Sequence, residues 1–233
     1  MTLAVSTGID ASDVTMIPNA SDLDLFHPDL PRQPGRDRLG IGDRFAAIYF
    51  GGMGYANGLE YVIEAARILK QRGRSDIVIV LHGDGGQRPS YVSLVKEYEL
   101  DNVIFSDPVP DKAAVAELVA GCDVCLTIYR ATKEQSWSPN KMFDALAAGR
   151  PVLINVAGWL GDTIDENRCG KSVNPDTPLE LADALIELSV APATVREMGH
   201  RSRALAERNF AREKLALCLE HVLFDTLESY RRN

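Results

Sequence analysis

Lys141 and Asp144 stand three residues apart in the stretch Ser138-Pro139-Asn140-Lys141-Met142-Phe143-Asp144-Ala145-Leu146-Ala147-Ala148-Gly149-Arg150-Pro151. The pair frames the chemistry open to this chain. The stretch predicts one helix with its punctuation in place. Ser138 is a good N-cap, and Pro139 suits the first helical position, where no N–H is needed. Gly149 ends the helix and Pro151 prevents it from continuing. Lys141, Asp144 and Ala148 then share one polar face, while Met142, Phe143 and Leu146 point broadly the other way. A cation, a carboxylate and free backbone N–H groups meet near one helix N-terminus. That set suits a ligand with an anionic part and hydroxyls, such as a nucleotide diphosphate and its ribose. The same residues also fit a capped core helix with two solvated charges.

A second chemical stretch lies upstream. The apolar run Phe45-Ala46-Ala47-Ile48-Tyr49-Phe50 reads as a strand that enters Gly51-Gly52-Met53-Gly54-Tyr55-Ala56-Asn57-Gly58. Leu59, Val62, Ile63, Ala66 and Leu69 follow at helical spacing. Strand, glycine-rich turn and helix make a phosphate-approach site, because glycines let backbone N–H groups reach an anion. The spacing is neither G-x-G-x-x-G nor a Walker A loop. A plain tight turn fits the same residues.

Alternating elements must hold these two stretches together. Ile77-Val78-Ile79-Val80-Leu81-His82 is a continuous apolar strand of the parallel-sheet kind, turned by Gly83-Asp84-Gly85-Gly86 into a helix from Ser90 to Glu99. Asn102 to Ser106 is the next strand. Pro108-Val109-Pro110 leads to a helix opened by Asp111, with Val115, Leu118 and Val119 on its apolar face. Asp123 to Tyr129 is a strand again, and residues 130–137 form a polar loop. Val152-Leu153-Ile154 is a short buried strand, followed by a helix through Asn167 and a last strand at Gly170 to Val173. Pro178 opens an amphipathic helix, and the chain is helical from Pro192 onward. This order predicts an α/β doubly wound parallel sheet of Rossmann-like type, in which ligands bind beyond the carboxyl ends of the strands. Residues 1–44 read as a leading segment, with a short strand at Asp13 to Ala20 and a loop from 20 to 44. Residues 45–190 form the Rossmann-like, ligand-binding domain, and 191–233 the C-terminal helices.

The 233 residues are 45% hydrophobic, enough for a full core, and carry a net charge of −8. The acidic balance argues against nucleic acid as the main partner. No apolar run approaches a membrane span, and Met1-Thr2-Leu3-Ala4-Val5 is too short for a signal peptide. Cys122-Asp123-Val124-Cys125 has CxxC spacing, but a strand there would send the thiols to opposite sides of the sheet. With no second pair and no nearby His, the four cysteines read as buried cytoplasmic thiols. Asp22-Leu23-Asp24 reads as a turn or helix start, not a metal site.

Four stretches resemble the C-terminal, donor-binding domain of GT-B glycosyltransferases, nearest the retaining family 4 enzymes of bacterial surface polysaccharide synthesis. Met16-Ile17-Pro18-Asn19-Ala20-Ser21-Asp22 with Phe26 is similar to that family's IPNGvD…F. Tyr49-Phe50-Gly51-Gly52-Met53-Gly54 with Gly58-Leu59 resembles its yxGxxG…KGL loop, and Leu81-His82-Gly83-Asp84-Gly85 its GxG turn. The Ser138 to Val152 stretch resembles PxKxxEylAaGkPV and is the most specific. The likeness covers roughly residues 10 to 225.

The resemblance implies that Asp144 stands where the family has a Glu accepting from ribose hydroxyls. It implies that Lys141 and the Ser138-Pro139-Asn140 backbone face the diphosphate and sugar, and that Gly51 and Gly52 let the backbone meet the phosphates. The Val109 loop would border the base. Asn57 occupies the place of a basic residue before Gly-Leu. Ser136 breaks the E-x7-E pattern at its first position, with Glu134 two residues earlier. The implied donor is a UDP-sugar, with no metal and no cofactor. The acceptor site and the catalytic group are expected in an N-terminal domain or a partner chain, so this chain alone is expected to be inactive. The full enzyme is expected in the cytoplasm, with peripheral contact to the membrane. The final helix, with Leu215, Leu217, Leu219, Val222 and Leu223, would cross onto that other domain and is expected to be partly unsupported here. Two other readings stay open. One is a nucleotide-sugar binding or regulatory module without transfer activity. The other is an NAD-binding oxidoreductase domain, weakened by the absent G-x-G-x-x-G.

Overall fold

A computed structural model describes residues 8–131 and 138–232. In chain order its elements are α1 (Arg32–Leu39), β1 (Phe45–Phe50), α2 (Glu60–Gln71), β2 (Ile77–His82), α3 (Arg88–Glu97) and β3 (Val103–Ser106). They continue with α4 (Lys112–Gly121), β4 (Val124–Thr127), α5 (Asn140–Ala147), β5 (Val152–Ile154), α6 (Trp159–Glu166) and β6 (Gly170–Ser172). Three helices complete the chain: α7 (Pro178–Ser189), α8 (Pro192–Leu205) and α9 (Arg212–Arg232).

The strands form one parallel sheet in the order β3-β2-β1-β4-β5-β6. β1 pairs with β2 along its whole length, from Phe45 opposite Ile77 to Phe50 opposite His82. Its other edge pairs with β4, Ala47 opposite Val124. The sheet is buried on both faces, so alternate residues feed two cores. Ala46, Ile48 and Phe50 join α4, α5 and α6 in one. Ala47 and Tyr49 join α2 and α7 in the other. The expected inward residues of α2 and α7, among them Val62, Ile63, Leu69, Leu181 and Leu185, are all buried.

Three expectations fail at the margins. Residues 20–44 are not all loop, because Arg32–Leu39 is helical although it holds Pro34 and Gly35. Pro34 is tolerated in the first turn, whose N–H groups have no intrahelical partner. Packing supplies the rest. A Cβ on Gly35 would lie 2.2 Å from the Glu117 carbonyl oxygen, so α1 and α4 touch backbone to backbone. The Arg36 guanidinium donates to the carbonyls of Gly42, Gly121 and Arg44 at 2.9, 2.8 and 2.6 Å. Residues 13–20 make no strand. Asp13 ends a 3-10 turn, residues 14–20 belong to no helix or strand, and the Asn19 N–H donates to Ser138 Oγ at 2.9 Å. Cys122 and Cys125 lie in the same core, not on opposite sides, because Cys122 ends α4 and only Cys125 belongs to the strand. Both thiols are free and buried, and burial pushes that of Cys122 up to about 12.

After α8 a single π turn, Ala206–Phe210, leads to Ala211, which bridges back to Ser21. The Ser21 N–H donates to the Phe210 carbonyl at 3.0 Å and the Arg212 N–H to that of Ser21 at 3.1 Å. Beyond this tie α9 has Leu215, Cys218 and Val222 half-buried. Its other side leaves Leu217, Leu219, Leu223, Phe224 and Leu227 49% to 59% exposed. No helix among the described residues is long and apolar enough to cross a membrane. Hydrogen exchange tests the support of α9. Amides from Cys218 onward should exchange well ahead of those in α5, because few buried contacts hold that end. Equal protection of the two helices in a monomer would overturn this.

Candidate functional site

The ends of four elements meet at one cavity of about 530 Å³. Gly51 and Gly52 follow β1, His82 and Gly83 close β2, and Pro108 and Val109 follow β3. Asn140, Lys141 and Asp144 come from α5. Lys112 and Val115 of α4 and Phe26 of the leading segment complete the wall. The place is where the strand order reverses, between β1 and β4, and the crossover helices on either side leave for opposite faces of the sheet. The floor is bare backbone. A Cβ on Gly83 would stand 2.1 Å from the Gly51 carbonyl oxygen, and Gly83 has φ +127, a conformation side chains disfavour.

Lys141 reaches into the cavity from the first turn of α5. Its Nζ donates to Tyr49 Oη at 2.7 Å and lies 3.9 Å from that ring's centroid and 5.2 Å from that of Tyr129. Tyr49 in turn donates to the Gly52 carbonyl at 2.6 Å, which fixes its hydroxyl as an acceptor for the lysine. Among the described residues no carboxylate pairs with Lys141. Burial therefore acts unopposed and pulls its pKa down to about 7. Among the described residues no side chain caps α5 either, so a cation and an open helix N-terminus flank the same space.

Asp144 sits one turn further in and is buried. Its Oδ1 accepts from Ser21 Oγ at 2.7 Å, and its Oδ2 is 3.8 Å from Lys112 Nζ. Burial pushes its pKa up, while Ser21 and Lys112 pull it back. His82 is buried beside them, with Nδ1 3.0 Å from Ser106 Oγ, and burial lowers its pKa.

Of the residues singled out in the sequence, Gly51, Gly52, Val109, Asn140, Lys141 and Asp144 line the cavity. Asn57, Ser138 and Pro139 do not. Asn57 Oδ1 accepts from the Gly54 N–H at 3.1 Å and closes a turn. Ser138 is not the N-cap: Pro139 holds that position, and Ser138 instead binds Asn19 through its hydroxyl and its carbonyl. The polar face of Lys141 and Asp144 is a cavity wall, not the solvated surface of the alternative reading. Ser136 and Glu134 lie outside the described residues. Lys112, Ser21, Phe26 and His82 were not singled out as site residues. Ser21 and Phe26 belonged to a quoted motif, and Lys112 directly follows the N-cap Asp111, but their contacts with the cavity span too many residues for spacing to reveal.

Residues 44–190 match the profile of the glycosyl transferases group 1 family. The chain belongs to that family. This group 1 chain is 26% identical to alpha-D-kanosaminyltransferase of Streptomyces kanamyceticus, over 76% of its own length and 44% of the relative's. It is 26% identical to D-inositol 3-phosphate glycosyltransferase of Paenarthrobacter aurescens, over 96% of its length and 53% of the relative's. It thus spans about half the length of the curated relatives it matches. Among solved structures it resembles HepE of Anabaena in complex with UDP, with a TM-score of 0.83 and 18% identity, over 96% of this chain and 61% of that one. It also resembles the C-terminal domain of the group 1 protein LpcC from Francisella tularensis, with a TM-score of 0.68 and 21% identity, over 82% of this chain and 99% of that one. These likenesses show the GT-B type of α/β fold.

The buried lysine predicts a pH signature. Its folded pKa is about 7, against about 10.4 when unfolded. Between those values the unfolded chain holds a proton that the fold has shed, so this group's contribution to stability rises with pH. Below the window both states are protonated and the charge burial costs its full amount. Urea midpoints should therefore show Lys141→Met gaining most over the parent chain near about pH 6 and least near about pH 9.5. A difference that does not change with pH would contradict the assignment.

Proposed function

We propose that this chain is the C-terminal, donor-binding half of a retaining family 4-like glycosyltransferase that uses a UDP-sugar. The observation that carries the reading is Lys141. Among the described residues it has no carboxylate partner, and it stands beside a helix N-terminus that none of them caps, in a cavity at the switch point of the sheet. Such a site suits an anion, and a nucleotide diphosphate supplies one together with hydroxyls for Asp144. UDP is the ligand named for the HepE complex, which supports the choice of nucleotide. In this reading Gly51 and Gly52 pass the backbone close to the phosphates, and Val109 borders the base.

The transferred group is a hexose or N-acetylhexosamine, and the product a surface polysaccharide. Transfer proceeds by front-face displacement. Lys141 and the α5 N-terminus balance the charge of the leaving diphosphate, and no metal or cofactor is called for. The acceptor site and the catalytic group belong to an N-terminal domain or a partner chain. The complete enzyme works in the cytoplasm, in peripheral contact with the inner membrane face. The purified chain should bind nucleotide yet transfer no sugar to a lipid-linked or oligosaccharide acceptor, and product formation by it alone would refute the division of labour.

Calorimetry tests the site. Lys141→Met should weaken UDP far more than uridine, because the lysine acts on the diphosphate. Asp144→Asn should weaken both alike, because it acts on the ribose. A charge-assisted hydrogen bond is worth roughly 1.5–3 kcal/mol, or about 10- to 150-fold in affinity. Unchanged UDP affinity in both variants would remove the nucleotide from this cavity.

A further inference from the structure

Asp144 offers a ligand only half of its carboxylate. Oδ1 is taken by the Ser21 hydroxyl at 2.7 Å, in a contact fully shielded from solvent. Oδ2 faces Lys112 across 3.8 Å, an ion-pair distance too long for a hydrogen bond. The Lys112 side chain is 57% exposed and free to shift, whereas the Asp144 side chain is 7% exposed and pinned. Two hydrogen bonds of about 2.8 Å meeting at a hydroxyl's tetrahedral angle span about 4.5 Å. Lys112 therefore needs to open by only a fraction of an ångström to admit one hydroxyl between its Nζ and Oδ2. That hydroxyl would donate to Oδ2 and accept from the ammonium.

We propose that Ser21, Asp144 and Lys112 form a clamp that reads a single ribose hydroxyl, with Ser21 as the positioning residue and Lys112 as a ligand-binding residue. The proposal rests on Asp144 as the ribose acceptor. Ser21 lies outside the family-matched span of 44–190, and its own backbone is held by Phe210 and Arg212. The residue that aims the carboxylate is thus fixed by a segment remote from it in sequence. A serine here goes with an aspartate one methylene shorter than the glutamate the family resemblance leads one to expect. The shorter acid reaches less far, and the serine sets the one direction in which it reaches.

Calorimetry with UDP, 2′-deoxy-UDP and 3′-deoxy-UDP tests this on the intact chain. The parent should lose roughly tenfold in affinity for one of the two deoxy ligands and little for the other. Lys112→Met and Ser21→Ala should each bring that discrimination close to one, and Ser21→Thr, which keeps the hydroxyl, should retain it. Lys112→Met changes a half-exposed side chain, so it reports even where Ser21→Ala lowers the melting temperature. Equal losses for both deoxy ligands in the parent would overturn the single-hydroxyl clamp. So would discrimination that survives both Lys112→Met and Ser21→Ala. Failure of the parent to bind UDP at all would instead refute the nucleotide reading beneath it.

Discussion

A lysine ammonium held against a tyrosine face, with no carboxylate beside it among the described residues, is the interaction to which this site is fitted. Burying a charge is costly unless something compensates for it. Here the compensation is partial: one hydrogen bond donated to the Tyr49 hydroxyl, whose own proton is committed to Gly52, and the π faces of Tyr49 and Tyr129. Tyr49 stands on β1, a strand with partners on both sides, so the sheet itself holds the aromatic platform. The lysine stem passes Gly51 closely enough that a Cβ there would touch its Cε at 3.4 Å. The turn after β1, the ring of Tyr49 and the start of α5 are thus parts of one accommodation. The chain as a whole is acidic, yet this cavity sets Lys141 beside the N-terminus of α5. Net charge bears on solubility and long-range encounter, not on which ion a cavity holds.

The frame was legible in the sequence because period and punctuation are local. The continuous apolar runs of β1 and β2, the 3.6-residue spacing in α2 and α7, Asp111 as N-cap and Gly149 after α5 all act within one element. Asp111 does accept from the Ala114 N–H at 2.8 Å, and Gly149 does take φ +63. α1 escaped notice because its propensity is poor and its stability comes from Gly35 and Arg36 against α4. Propensity is a weak prior that such packing overrides.

The site was legible in its residues but not in its geometry. A helical wheel separates a polar from an apolar face, but it cannot say whether the polar face meets water or a cavity. The polar side of α5 that carries Lys141 and Asp144 faces a cavity, so the alternative of two solvated charges does not hold. Ser138 was assigned a cap that its neighbours in the chain would support. Its partner is 119 residues away, and the partner of Asp144 is 123 away. Contacts at that range leave no periodicity to read.

The bridge between Ser21 and Ala211 has a mechanical meaning. The chain enters the body of the fold and leaves it for α9 at the same point. Two peptide hydrogen bonds and the Asp22–Arg212 link at 3.0 Å hold that crossing together. Whatever is attached through both of these segments turns about a single pivot. That pivot includes Ser21, whose hydroxyl touches the carboxylate in the cavity, so the crossing and the site share a residue.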